Sequence, residues 1–326
     1  MGKWFVFGLG HACDNVRDGE PHGGFYTQDE LRGLVGYAAR CGVTVVPEID
    51  LPGHTQAAIA AYPRFGNDPA TPLEVWTHFG VSRHILNVEE ATVRFMCDVL
   101  DELVDVFPSP YVHLGGVEVL PDEWLASLAA RARMAELGRT DPEDLVGWWI
   151  RRLGTHLAGA GRRLVAWDEL ADHDAPDRTV IMAWRNQARV RAALSAGFDV
   201  VAAPHTAMYL NYPESRAPGE PLSIGDGPVP GFRGPLSLAQ VYAYDPEPID
   251  LPADRTGRVI GVQGNLWTEY APTPARAEYD LMPRLAAVAQ IGWGGPRDEL
   301  DLRRRLVTHL RRLDAAGIAY RPLDPS

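Results

Sequence analysis

The sequence predicts an α/β fold of the (β/α)8 TIM-type barrel class, in a single domain spanning residues 1–326. Three observations predict it. Apolar strand-like runs alternate with amphipathic helical stretches along the chain, the pattern that calls for a parallel sheet. Polar and aromatic residues gather at the C-terminal ends of those runs: Glu48 and Asp50, Glu118, Trp167 and Asp168, Trp184, Trp267 and Glu269. A barrel of this class builds its site there. No glycine-rich dinucleotide loop follows the first run, which disfavours an open doubly wound sheet.

The elements follow in order. Residues 4–9 read as a first strand. Residues 27–41 read as a helix, because Thr27 and Glu30 have capping-box spacing and Gly42 ends the run. Residues 43–49 are nearly continuously apolar, as in a parallel strand covered on both faces. A long helix over 88–107 leads to a strand over 111–118. A helix over 145–160 leads to a strand over 164–167. Further strands are predicted over 180–184, 200–203 and 259–266, and C-terminal helices over 275–290 and 299–316. Residues 205–255, rich in Pro and Gly, form a long connection.

Six runs after Thr27 and one before it fall short of the eight strands of a closed barrel. The barrel is therefore expected to be incomplete on its N-terminal side. An exposed parallel edge there invites pairing with a second copy, a homodimer.

With 326 residues the chain is long enough to bury a large core without disulfide or metal staples. A net charge of −12 and a pI near 5.3 argue against a nucleic-acid or anionic-membrane partner. There is no run of eighteen apolar residues to span a membrane. Residues 4–9 are too short a run for a convincing signal peptide, so cytoplasmic residence is expected. Cys13, Cys41 and Cys97 are odd in number and far apart, which reads as small buried hydrophobes rather than a disulfide framework. His11, His22, His78 and His84 have no metal-ligand spacing. No metal and no cofactor are expected.

Several segments converge on one family. Pro47-Glu48-Ile49-Asp50-Leu51-Pro52-Gly53-His54 and the preceding Gly23-Gly24-Phe25-Tyr26-Thr27-Gln28 resemble a segment and lead-in of the glycoside hydrolase family 20 β-N-acetylhexosaminidases. His113-Leu114-Gly115-Gly116-Val117-Glu118 matches that family's acid signature at every position but Val117. Trp167-Asp168-Glu169, Trp184, Tyr209-Leu210-Asn211, Trp267-Thr268-Glu269, Pro283-Arg284-Leu285 and Trp293 follow in the family's order, so the resemblance runs from about residue 23 to 293.

The resemblance implies a chemistry. The family is a substrate-assisted exception among glycosidases: the sugar's own 2-acetamido oxygen attacks the anomeric carbon and a cyclic oxazolinium forms. Glu118 matches the acid that protonates the leaving oxygen. Trp167, Trp184 and Trp267 match the aromatic walls of the acetamido pocket, and Tyr209 the hydroxyl that bonds the acetamido oxygen. Glu269 matches the carboxylate that accepts from outer sugar hydroxyls, with Asn211 and His113 as further sugar-binding positions. Asp50 and His54 resemble a pair that positions and tunes the acid.

The departures weigh against full activity. Val117 stands where the family has an aspartate that holds the acetamido N–H and offsets the oxazolinium charge. Losing one charged hydrogen bond costs roughly 1.5–3 kcal/mol, or roughly ten- to a hundredfold in rate. Asn211 replaces a usual aspartate. The first family strand, with its sugar-gripping arginine, has no match. The expected function is release of terminal β-linked N-acetylglucosamine or N-acetylgalactosamine, impaired or redirected by Val117. The alternatives are a non-catalytic sugar-binding relative and a glycosidase for a substrate lacking the acetamido group.

Overall fold

The computed structural model describes residues 23–77, 80–221, 234–247, 251, 256–295 and 297–324. The strand expected at residues 4–9 lies outside the described residues. So do the edge and second-copy expectations that rest on it, and Cys13, His11, His22 and His78. The chain forms two compact units, Gly8–Ile181 and Met182–Ser326.

In the first unit, α1 (Gln28–Arg40) begins at the expected capping box. The Thr27 hydroxyl accepts from the Glu30 amide at 3.2 Å, and the Glu30 carboxylate accepts from the Thr27 amide at 2.7 Å. Three parallel strands follow, β1 (Glu48–Leu51), β2 (Tyr111–Gly115) and β3 (Arg163–Trp167). They are neighbours in chain order, with Glu48 opposite His113 and Tyr111 opposite Arg163. Between them run α2 (Gln56–Ala61), α3 (Glu90–Val106), α4 (Asp122–Ala126), α5 (Leu128–Glu136) and α6 (Asp144–Gly159).

The core of this unit lies between the sheet and the apolar stripes of α3 and α6. Val112, Leu114, Leu100, Trp149, Ile150, Leu153 and Leu157 are fully buried. Gly154 lets α6 come close to β3: a Cβ there would lie 3.1 Å from Leu164 Cδ2 and 3.2 Å from Pro176 Cγ. On the outer side, Glu90 bonds Arg152 and Arg133, and both guanidiniums lie over the Trp148 ring, at 5.5 and 5.0 Å. This ties α3, α5 and α6 together.

Two strand expectations shift. The apolar run 43–47 is not a strand, and Val43 and Val46 are exposed. Pairing starts only where Pro47 O accepts from His113 N at 3.0 Å, because the proline has no N–H to extend the ladder. The strand over 111–118 stops at Gly115, where the backbone turns left-handed.

In the second unit, β5 (Asp199–Ala202) and β6 (Val259–Val262) pair in parallel with Val200 opposite Val259. The strand β4 (Val180–Ala183) enters this unit, and Ala183 O accepts from Ala203 N at 2.9 Å. The helices are α7 (Gln187–Ser195), α8 (His205–Met208), α9 (Leu238–Ala243), α10 (Pro274–Leu281), α11 (Arg284–Trp293) and α12 (Glu299–Ala316).

Among its described residues the connection over 205–255 therefore carries two helices, α8 and α9; the second starts at a Ser237–Gln240 capping box. The helix expected over 275–290 is two helices. Pro283 forces Met282 into an extended conformation and has no N–H for the ladder. Cys41 and Cys97 are free thiols, and Cys41 is exposed at the end of α1 rather than buried: the cap position points off the apolar stripe. Among the described residues no helix is long and apolar enough to cross a membrane.

The packing of α6 generates the first test. Truncating the fully buried Leu153 (Leu153→Ala) is expected to destabilise the protein by about 2–5 kcal/mol, read from urea unfolding. A loss below about 1 kcal/mol would place Leu153 outside a packed core.

Candidate active site

The chemistry-bearing side chains of the first unit gather around the turn that follows β2. Gly115 and Gly116 have φ of 68° and 80°, in the left-handed region. At Gly115 a Cβ would lie 1.7 Å from Asp50 Oδ1, so no side chain fits. This bare turn seats against β1, and Asp50 Oδ1 accepts the Gly116 N–H at 3.0 Å. The chain then buries Val117 and presents Glu118. Val117 is past the end of β2, not on a strand.

Glu118 and His54 have φ of 51° and 54°. An L-residue pays roughly 1–2 kcal/mol in this region, and such strain concentrates where function requires a geometry. The strain here brings two side chains together: His54 Nε2 lies 3.2 Å from Glu118 Oε2. Both are partly exposed.

The electrostatics follow from this crowding. Burial pushes the Asp50 carboxyl up to about 8, with Glu48 and Glu118 adding to the rise and His54 opposing it. Burial opposes protonation of His54, but the Glu118 hydrogen bond and the charges of Asp50, Glu118 and Glu48 outweigh it and raise its pKa.

One register step away, His113 is buried between β1 and β3. Burial drives its pKa down to about 3, so it is neutral. Its Nδ1 accepts the Gly115 amide at 3.0 Å, which puts the ring proton on Nε2. That Nε2 is buried without a hydrogen-bond partner among the described residues. Glu48 Oε1 lies 3.3 Å from His113 Nδ1, a contact that is no ion pair because the imidazole is neutral. The same oxygen accepts the Trp167 indole N–H at 3.1 Å. The His113 and Trp167 rings meet edge-on, centroids 4.8 Å apart at 62°.

The second unit holds the other predicted residues. Trp184 and Tyr209 are buried and stack, centroids 6.2 Å apart at 21°. Trp267, partly exposed, lies 6.3 Å from Tyr209. His205 and Tyr212 join this aromatic cluster, with a 3.0 Å hydrogen bond between the His205 Nδ1 and the Tyr212 hydroxyl.

Asn211 is buried, and neither its amide oxygen nor its nitrogen has a hydrogen-bond partner among the described residues. Glu269 is exposed on a turn after β6. The Tyr209–Tyr212 turn is anchored from both sides. Leu210 N donates to Asn265 O at 2.7 Å. The buried Arg284 donates to the carbonyls of Leu210, Tyr212, Leu236 and Asp280 at 2.5–2.9 Å.

The structure thus brings Asp50, His54, His113, Val117, Glu118 and Trp167 together in one unit, and Trp184, Tyr209, Asn211 and Trp267 in the other. Sequence reasoning placed Glu48 among the strand-end residues and inside the quoted Pro47–His54 motif but assigned it no role in the site. It also missed His205 and Tyr212; only their spacing around Tyr209 could have pointed to them.

The chain matches the family described as Glycosyl hydrolase family 20, catalytic domain, over residues 9–296. It is 37% identical over 309 residues to a beta-hexosaminidase of Porphyromonas gingivalis, covering 93% of this chain and 38% of that protein. It is 35% identical over 277 residues to a beta-hexosaminidase of Vibrio furnissii, covering 84% of this chain and 44% of that protein. Among solved structures, it resembles the GH20 exo beta-N-acetylglucosaminidase of Vibrio harveyi in complex with N-acetylglucosamine. That likeness has a TM-score of 0.79 at 35% identity, over 92% of this chain and 47% of the other. The chain spans less than half the length of these relatives. The fold class is α/β, of the (β/α)8 type.

Two outcomes test the site's physics. Glu118→Gly and Glu118→Ala both remove the carboxylate, but only glycine is relaxed at φ 51°. The glycine variant is expected to be more stable than the alanine variant by about 1 kcal/mol; equal stability would mean the turn is not held left-handed.

The second outcome concerns pH. The folded pKa of Asp50 lies above its ordinary value of 3.8, so its contribution is full below about pH 4 and is lost as pH rises towards 8. That of His54, also raised, is lost as pH rises through its folded value. Up to about pH 6.5 the buried neutral His113, with its pKa lowered to about 3, acts in the opposite direction. Unfolding free energy is therefore expected to fall from about pH 6.5 towards 8, and to fall less steeply in Asp50→Asn. An identical slope in both proteins would contradict the burial of this carboxyl.

Proposed function

Because the chain belongs to glycosyl hydrolase family 20, we propose that it is the catalytic part of a glycosidase releasing terminal β-linked N-acetylglucosamine or N-acetylgalactosamine, with Glu118 as acid and base. The observation that carries this reading is the Glu118–His54 bond, made at 3.2 Å by two residues that both accept a left-handed backbone. A merely structural ion pair at a partly exposed position would be worth about 0–1 kcal/mol, less than the strain of two such residues. The arrangement makes physical sense as the positioning of an acid.

In the proposed reaction the substrate's acetamido oxygen forms a bond to C1 as the C1–oxygen glycosidic bond breaks. Glu118 gives its proton to the leaving oxygen. Water then attacks C1 of the oxazolinium and returns a proton to Glu118, and the ring opens to the acetamide. His54, backed by Asp50, holds the Glu118 carboxyl in place. Trp167 in the first unit, and Trp184, Trp267 and Tyr209 in the second, each match a residue with which the family holds the acetamido group.

Two buried groups without partners suit sugar hydroxyls. The His113 Nε2–H is a donor, and the Asn211 amide is both donor and acceptor. Glu269 accepts from outer hydroxyls.

Val117 weakens this machinery, since an apolar side chain neither accepts the acetamido N–H nor offsets the oxazolinium charge. Its burial favours a second reading, in which the substrate lacks the acetamido group. A sugar-binding relative without catalysis is the third.

Hydrolysis of a chromogenic β-N-acetylglucosaminide beside the matching glucoside separates them. Val117→Asp is expected to raise kcat on the acetamido sugar at least about tenfold, from one charged hydrogen bond of about 1.5–3 kcal/mol, with no comparable gain on the glucoside. No gain in a folded variant would favour the binding reading, and a wild-type preference for the glucoside the second. Glu118→Gln is expected to abolish turnover of an oligosaccharide with a poor leaving group. Unchanged turnover would remove Glu118 from the reaction.

A further inference from the structure

We propose that Glu48 is a positioning residue that sets the orientation of the Trp167 indole, and through it the geometry of the acetamido pocket. The inference rests on the reading of Trp167 as a wall of that pocket. Glu48 Oε1 accepts the indole N–H at 3.1 Å across two strands. The same oxygen lies 3.3 Å from His113 Nδ1, and the His113 ring packs edge-on against Trp167. Packing encloses the Trp167 indole but leaves the broad torsion of its ring some freedom. A hydrogen bond at its single donor removes that freedom.

The arrangement bears on the departure at position 117. A pocket with an aspartate holds the acetamido nitrogen directly. With Val117 in its place no carboxylate holds that nitrogen, so an error in the Trp167 ring passes directly into the near-attack geometry. Glu48 sits at the first residue of β1, with over a third of its side chain exposed, so replacing it removes little packing. Its register opposite His113 fixes its reach.

Two substitutions separate reach from charge. Glu48→Asp keeps the charge but is one methylene too short for the indole. Glu48→Gln loses the charge but keeps an acceptor oxygen at the same reach.

The Asp variant is expected to lose about tenfold in kcat on a chromogenic β-N-acetylglucosaminide, as for one lost hydrogen bond to a charged acceptor. The Gln variant is expected to lose only about a few-fold. In a Trp167→Phe background, which has no indole donor, Glu48→Asp is expected to add nothing further. A second readout needs no turnover: hydrogen exchange at the Trp167 indole N–H, identified by its loss in Trp167→Phe, should be slow in the wild type and in Glu48→Gln and faster in Glu48→Asp.

Equal exchange in the wild type and Glu48→Asp overturns the proposal. So does an equal loss of kcat with and without Trp167. If the wild type does not turn over the substrate, the functional reading fails, and exchange alone decides the role of Glu48.

Discussion

The site depends on the contact between a bare left-handed turn and one carboxyl group. Asp50 Oδ1 fills the space a side chain on Gly115 would take, and it accepts the next amide. That seat ends β2, turns the chain off the sheet and delivers Glu118 to His54. A β-carbon at Gly115 would push Asp50 away and, with it, the acid. Gly115 is therefore a steric requirement and Gly116 a conformational one, at φ 80° with room for a β-carbon, and the strained φ of Glu118 follows from where they leave the chain.

Around this turn the polar groups form a layered set. Asp50, held up to about 8 by burial, backs His54, and His54 backs Glu118. The neutral His113 accepts from the turn through Nδ1, and its Nε2 is buried without a hydrogen-bond partner among the described residues. Glu48 reaches the Trp167 ring. In the second unit, Arg284 does by four backbone bonds what Asp50 does by one: it pins an irregular turn that carries Tyr209 and Asn211, two of the residues expected in the site. Both devices bury a polar side chain where hydrogen bonds to the backbone compensate its lost water.

Much of this was legible in the sequence, for physical reasons. The α1 capping box is a local pattern, and it appears as read. The six strands after Thr27 are each found near their apolar runs, because burial of the sheet demands such runs. Boundaries were less legible. The run 43–47 is as apolar as any strand, but Pro47 delays its pairing, and Pro283 cuts one expected helix in two. Motif order gave Glu118, His54 and Tyr209. It could not give Glu48 or His205, whose roles arise from cross-strand register and ring packing, quantities with no local signature.

The central claim is that bond cleavage at Glu118 is assisted by the substrate's own acetamido oxygen, despite Val117. It is tested most directly by replacing that nucleophile without changing its size much. The comparison is kcat/KM for an aryl β-N-acetylglucosaminide against its N-trifluoroacetyl analogue, at fixed pH and with the same leaving group. If the carbonyl oxygen attacks C1, withdrawing its electrons must slow the reaction steeply, and the trifluoroacetyl substrate is expected to be turned over far more slowly. Equal kcat/KM for the two would show that the acetamido group does not participate, and would contradict the account.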